Sequence, residues 1–329
     1  MTHQHQVVHI TESGTQDLPT IVCLHGLGST SLSFIEIAEA LANEFRIIAL
    51  DLPGHGKTAA FTDPLHYRMK PLTDWIDKVL HMLNIRQFYA LSHSWGSVLS
   101  LYYLIEHANR VLGTILIDGS YHSKRLYAMS VEEEVAFYER DFEDSVSTWD
   151  EFLDVAVNAP DARRSLALNK AGIDLLRLEN GRYHWHARGE TAAAIVRALH
   201  HEDVLDFLSD VPPADIQLYV ATLSTDQTSI RQQATHPLHE LTNATIHLVS
   251  ETGHLLHWDR PDVIIEVIRY HWTAGKRLSY IQKLVYYGIN EKRRNPYAKT
   301  INVRLCDLMR RDRRRPCRRT PFIRQYHLV

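Results

Sequence analysis

The sequence is poor in the features that mark secreted, membrane-spanning or metal-staple proteins. It has three cysteines in 329 residues, Cys23, Cys306 and Cys317. An odd, scattered set with no Cys-x-x-Cys pair excludes a disulfide framework and a thiol-pair redox site, and implies a reducing, cytoplasmic setting. Cys23 lies in an apolar run and reads as a small core residue. No stretch approaches the roughly 20 apolar residues of a membrane helix, so no membrane partner is expected. The start, MTHQHQVVHI, lacks the basic-then-apolar order of a secretory signal. The last 54 residues nearly lack acids: 276–329 hold 16 of the 36 Lys+Arg but only Glu291, Asp307 and Asp312. The tail therefore carries +13 and the body −16, a block-wise split that marks two differently built segments.

What the body does contain is alternation. Thr20–His25, Arg46–Leu50, Gln87–Leu91 and Gly113–Ile117 are short apolar, strand-like runs. Between them, Ser31–Ala42, Leu72–Leu83 and Gly96–Ile105 carry apolar residues at helical spacing. Near-continuous apolar strands separated by helices predict a doubly wound, mostly parallel sheet of the α/β class, covered on both faces. The rhythm stops after Asp118 and resumes at Ile216–Ala221 and Thr245–Val249, before a closing helix Pro261–Trp272. The intervening residues 121–212 read as mainly helical, acidic and rich in aromatics, with no strand alternation of the earlier kind. The expected organisation is a core from 1–120 and 213–275, a helical lid from 121–212, and a basic tail from 276–329 that is disordered or foreign to the fold.

Three segments carry chemistry. Ser92-His93-Ser94-Trp95-Gly96 joins a strand to a helix. A serine on that sharp turn projects its hydroxyl above the sheet, and small residues two places either side let strand and helix pass closely. The helix start behind it favours developing negative charge. His25-Gly26-Leu27-Gly28 ends the first central strand; the N–H groups of Leu27 and Trp95 could together bind an oxyanion. Thr252-Gly253-His254 follows the last strand, and His254 can supply the base that a serine nucleophile needs.

Together with Asp51–Thr58 (DLPGHGKT) and Gly253–Pro261 (GHLLHWDRP), these segments resemble the α/β-hydrolase family over about residues 7–273. Ser92 replaces the family's usual glycine and Asp259 its usual glutamate. The resemblance implies a serine esterase-like mechanism with nucleophile Ser94, base His254 and oxyanion donors Leu27 and Trp95. It places the acid in the loop after the strand that follows the lid, at Asp226; Asp118 is the alternative, because some members carry the acid there. The expected reaction is hydrolysis of a small-molecule ester, lactone or related acyl compound, without cofactor or metal. Rival readings are a C–C bond hydrolase, a cofactor-free dioxygenase group whose elbow resembles SHSxG and whose acid stands where Asp118 lies, and a non-catalytic ligand receptor.

Other features support blander readings. His184 and His186 alternate but lack a third metal ligand of suitable spacing. His3, His5 and His9 read as a solvated N-terminal segment. Trp149, Phe152, Tyr183 and Trp185 read as lid core. The tail could attract nucleic acid electrostatically, but it lacks any matching module.

Overall fold

A computed structural model of the chain describes residues 6–126, 129–157, 163, 165–223, 225–273 and 322–328. Its main sheet has strands β1 (Gln6–Ser13), β2 (Thr20–Leu24), β3 (Arg46–Leu50), β4 (Phe88–His93) and β5 (Val111–Ile117) before the insertion. The insertion carries the short strands β6 (Ser145–Val146), β7 (Leu176–Glu179) and β8 (Arg182–Trp185). β9 (Ile216–Ala221), β10 (Thr245–Val249) and β11 (Phe322–Leu328) complete the sheet. The order is β10-β9-β5-β4-β2-β3-β1-β11, parallel except for β1 and β11. The helices are α1 (Ile35–Leu41), α2 (Met69–Met82), α3 (Trp95–His107), α4 (Val131–Glu143), α5 (Trp149–Ala156), α6 (Leu166–Asp174), α7 (Gly189–His201), α8 (Val204–Phe207), α9 (Thr225–Thr242), α10 (Leu256–Asp259) and α11 (Pro261–Trp272).

The parallel strands are mostly apolar because helices cover both faces. On one face Val22, Leu24, Leu50 and Leu116 pack with α2 and α3 through Trp75, Val79 and Leu101. On the other, Ile21, Cys23, Ile47, Ile115 and Ile117 pack with α1 and α11 through Ile37, Leu41, Ile264 and Ile268. Cys23 is fully buried, and burial pushes its thiol pKa up, so it is a core residue. Chain order reverses between β2 and β4, the place where an open parallel sheet leaves a crevice at its strand ends. Among the described residues, no helix is long and apolar enough to cross a membrane.

Three expectations need correction. The N-terminal segment is not solvated at His9: β1 pairs with β3, and His9 is fully buried. (His3 and His5 lie outside the described residues.) The insertion is not strand-free, because β6, β8 and β7 form an antiparallel sheet of their own. The alternation of short apolar and charged residues in LRLENGRYHW signals that hairpin, with Asn180 and Gly181 in the left-handed region its turn requires. The tail is not wholly foreign, since Phe322–Leu328 pairs with Gln6–Glu12 at the sheet's edge.

β11 covers an edge whose main-chain groups would otherwise be open to pairing. The two core clusters, among the described residues, are built between Val8 and Trp272. Truncation after Gly275 should therefore leave a folded protein with an exposed β1 edge. Size-exclusion chromatography should show it associating where the full chain does not. A truncated chain that fails to fold would place the tail within the core.

Candidate active site

The centre of the site is a backbone forced into an unusual shape. Ser94 has φ 52° and ψ −119°, a sparsely populated conformation for a residue with a side chain. It is held by Ser94 N–H donating to Ile117 O (3.0 Å), Ser97 N–H to Ser94 O (3.0 Å) and Ser97 Oγ to Ser92 O (2.9 Å). The crowding makes glycine necessary nearby: a Cβ on Gly96 would stand 2.3 Å from Leu24 O, and one on Gly119 2.3 Å from Ser94 O. Ser92, where the family has glycine, fits with its hydroxyl fully buried.

The turn aims Ser94 at His254. Ser94 Oγ lies 3.0 Å from His254 Nε2, and His254 Nδ1 lies 2.7 Å from Asp118 Oδ2. The carboxylate therefore accepts a hydrogen bond from Nδ1–H, which leaves Nε2 as acceptor for the serine. Tyr121 Oη donates to Asp118 Oδ1 at 2.6 Å and Ala221 N–H to the same oxygen at 3.1 Å. Burial alone would raise the Asp118 pKa, but the His254 imidazole and these two donors outweigh it and hold the carboxyl below its ordinary value. The His254 backbone is held by His93 Nε2, which donates to its carbonyl at 2.9 Å, while Gly253 N–H donates to Asp259 Oδ2 at 2.7 Å.

The acid expectation is thereby corrected: Asp118, the alternative position, is the carboxylate that meets His254. Asp226 belongs to α9, and its side chain lies outside the described residues. Asp118 follows directly on Ile117, whose carbonyl anchors Ser94, so its place beside the elbow is set by the same strand. Its φ of 42° needs a residue that tolerates the left-handed region, and aspartate does.

The loop bearing Leu27 passes beside the serine, since a Cβ on Gly26 would lie 3.0 Å from Ser94 Cβ. Trp95 is the first residue of α3, so its N–H has no partner within the helix. The loop is fastened by residues whose role the sequence did not reveal. His55 Nε2 accepts from Gly28 N–H (3.1 Å) and His25 Nε2 from Leu52 N–H (3.0 Å). Buried Asp51 accepts from Ser31 N–H (2.7 Å), Lys57 N–H (3.0 Å) and the His9 ring (2.6 Å). From the insertion, Trp185 Nε1 donates to Gly28 O at 2.9 Å. Trp149, Phe152, Tyr183 and Trp185 pack into one cluster of the insertion. His186, one of the two alternating histidines, packs on His55 and hydrogen-bonds Leu175 O through Nδ1.

A cavity of about 110 Å³ lies over Ser94. Leu27 and Trp95 line it from the core; Lys124, Glu134, Tyr138 and Leu199 line it from the insertion. Glu134 binds Lys124 Nζ through Oε1 and His200 Nε2 (2.7 Å) through Oε2.

The family model described as alpha/beta hydrolase fold matches residues 19–261. The chain belongs to the α/β-hydrolase family. Among curated relatives, the magnesium-chelatase 30 kDa subunit of Rhodobacter capsulatus is 32% identical over 92 residues, 28% of this chain and 32% of that protein. The (E)-2-((N-methylformamido)methylene)succinate hydrolase of Acinetobacter baylyi is 25% identical over 37% of this chain and 44% of its own length. A serine hydrolase-like protein of Homo sapiens is 28% identical over 32% and 52% respectively. This α/β hydrolase thus matches about a third to a half of these relatives' length. In fold it is similar to the thioesterase domain from the curacin biosynthetic pathway, with TM-score 0.65 and 18% identity over 82% of this chain and 96% of that one.

Several histidines of this α/β hydrolase are buried and uncharged. Burial lowers His257 to about 3 and His122 and His186 to about 4, and it also holds His25, His55 and His93 below the usual value. In the unfolded chain each takes a proton near pH 6.5, so below that pH the unfolded state binds more protons than the folded one. Stability is complete above about pH 6.5 and falls as pH drops towards the folded values. Tm should therefore decline steadily between about pH 7 and about pH 5, well before carboxylates titrate. A flat Tm over that window would mean that these rings are protonated in the fold.

Proposed function

We propose that the protein is a serine hydrolase that cleaves a carboxylic ester, lactone or related acyl compound through an acyl-enzyme. The observation that carries the reading is the unbroken relay Ser94 Oγ to His254 Nε2 (3.0 Å) and His254 Nδ1 to Asp118 Oδ2 (2.7 Å). His254 takes the hydroxyl proton as Ser94 Oγ bonds to the substrate carbonyl carbon. The N–H groups of Leu27 and Trp95 receive the negative charge on the carbonyl oxygen. The carbonyl re-forms as the leaving group departs with the proton from His254. Water then attacks the acyl-serine with the same base, releasing the acid and restoring Ser94. The cavity holds a small acyl group, closed over by the insertion acting as a lid. The names of the Acinetobacter baylyi and human relatives agree with hydrolysis.

A second reading is favoured by the placement of the acid. The elbow Ser92-His93-Ser94 resembles a cofactor-free dioxygenase group that carries its acid at the position of Asp118, and Asp118 is the residue on His254. In that reaction His254 and Asp118 act as the base while Ser94 forms no covalent bond.

A fluorophosphonate probe should label Ser94, and a panel of 4-nitrophenyl esters of graded acyl length should be hydrolysed equally in air and under argon. Ser94→Ala should lower turnover by about 10⁴-fold with the fold intact. Asp118→Asn should cost about 10³–10⁴-fold, because His254 loses its tautomer, while Asp226→Asn should cost far less. Turnover that survives Ser94→Ala and requires oxygen would replace the hydrolase reading by the second one.

A further inference from the structure

Asp118 faces a cation from an element that the relay does not otherwise use. Arg231, on α9, donates from Nη1 to Ala221 O at 3.1 Å, and the same nitrogen lies 3.9 Å from Asp118 Oδ2. That oxygen is the one bound to His254. Ala221 serves both partners: its N–H binds Asp118 Oδ1 and its carbonyl fixes the guanidinium. The separation is too long for a hydrogen bond, so Arg231 does not compete with His254 for Oδ2. It is short enough for charge to act, and with Asp118 fully buried and Arg231 16% exposed, solvent screens the pair weakly.

We propose, on the reading that Ser94 and His254 carry out acyl transfer, that Arg231 is a positioning residue whose fixed positive charge, acting through Asp118, sets how strongly His254 holds its proton. A carboxylate beside an imidazole favours the imidazolium, and a base that is already protonated cannot accept the serine proton. The guanidinium offsets part of that attraction while leaving the orienting hydrogen bond in place. The other titratable groups facing His254 are His93 from β4 (ring centroids 4.7 Å apart), His122 from the loop after β5 and His257 from α10. Burial keeps these three uncharged near neutral pH, and the charged groups around the ring are Asp118, Arg231 behind it, Asp259 on the Gly253 N–H, and the paired Lys124 and Glu134 across the cavity over Ser94.

The sign follows directly. Removing a positive charge stabilises the imidazolium, so the His254 pKa should rise. The test is NMR titration of the His254 ring in the full-length protein, its signal assigned by loss in His254→Ala. Arg231→Gln and Arg231→Met should raise the pKa by about half to one unit. Arg231→Lys, which keeps the charge, should stay nearer the parent value. The acid limb of kcat/KM for 4-nitrophenyl butyrate should move to higher pH by the same amount. A ring that titrates identically in Arg231→Gln or Arg231→Met and in the parent would overturn the proposal. Arg231 would then only tie α9 to β9, and its loss would lower Tm without moving either pKa. If Arg231→Gln fails to fold, Arg231→Met, which keeps the aliphatic stem, gives the same reading. The ring titrates whether or not esters turn over, so a protein inactive on esters would sink the hydrolase reading while the effect of Arg231 is still measured.

Discussion

The site depends on one buried carboxylate. Asp118 joins three parts of the chain that are distant in sequence: the end of β5, the His254 loop after β10, and Ala221 at the end of β9. A buried carboxylate without partners would be costly and would take up a proton. Here hydrogen bonds from Tyr121, Ala221 and His254 keep it charged. The same bonds fix the imidazole that meets Ser94. The carboxylate is therefore both a structural tie and the group that selects the useful tautomer of His254.

Around that tie, glycines let backbones approach more closely than side chains would allow. Gly96 lets α3 pass under the end of β2, and Gly119 lets the loop after β5 lie against Ser94. The strained serine persists because both neighbours are rigid strands in one sheet, each hydrogen-bonded to β4. The Asp51–Thr58 segment has a related duty. Asp51 and His55 fasten the Leu27 loop from behind, through Ser31 N–H and Gly28 N–H. That fastening gives a physical reason for the segment.

The strands and helices of the core were readable because each has a strong apolar pattern and a clear stop. Ile216–Ala221, Thr245–Val249 and Pro261–Trp272 lie where the pattern places them. Ser94 was readable because it stands just past a strand end in a motif with glycine at a close-approach position, and His254 because it sits between the last parallel strand and a closing helix. What could not be read depends on contacts between segments. The burial of His9 follows from β1 pairing with β3, and neither its neighbours in sequence nor its residue type announce this. The hairpin of the insertion was hard to read because its strands are only four residues each, the shortest length at which alternation signals a strand, and they sit among helices. The pairing of Phe322–Leu328 with β1 lies beyond an arginine-rich segment that gives no hint of a sheet partner.

The misplaced acid shows why the sequence leaves that choice open. β5 and β9 are adjacent and parallel, so Asp118 and the loop after Ala221 leave the sheet at the same end, side by side. A histidine on the loop after β10 can be served by a carboxylate from either. Both positions follow an apolar strand, so periodicity does not separate them. Two backbone features decide for Asp118: a left-handed φ of 42° that turns its carboxylate towards the loop, and an Ala221 N–H available to bind it. Both depend on the sheet being assembled. The segment after β9 contributes a cation beside that carboxylate, Arg231 on α9. The Asp118 carboxylate then lies between two partners, bound to the His254 imidazole at 2.7 Å and standing 3.9 Å from the Arg231 guanidinium of α9.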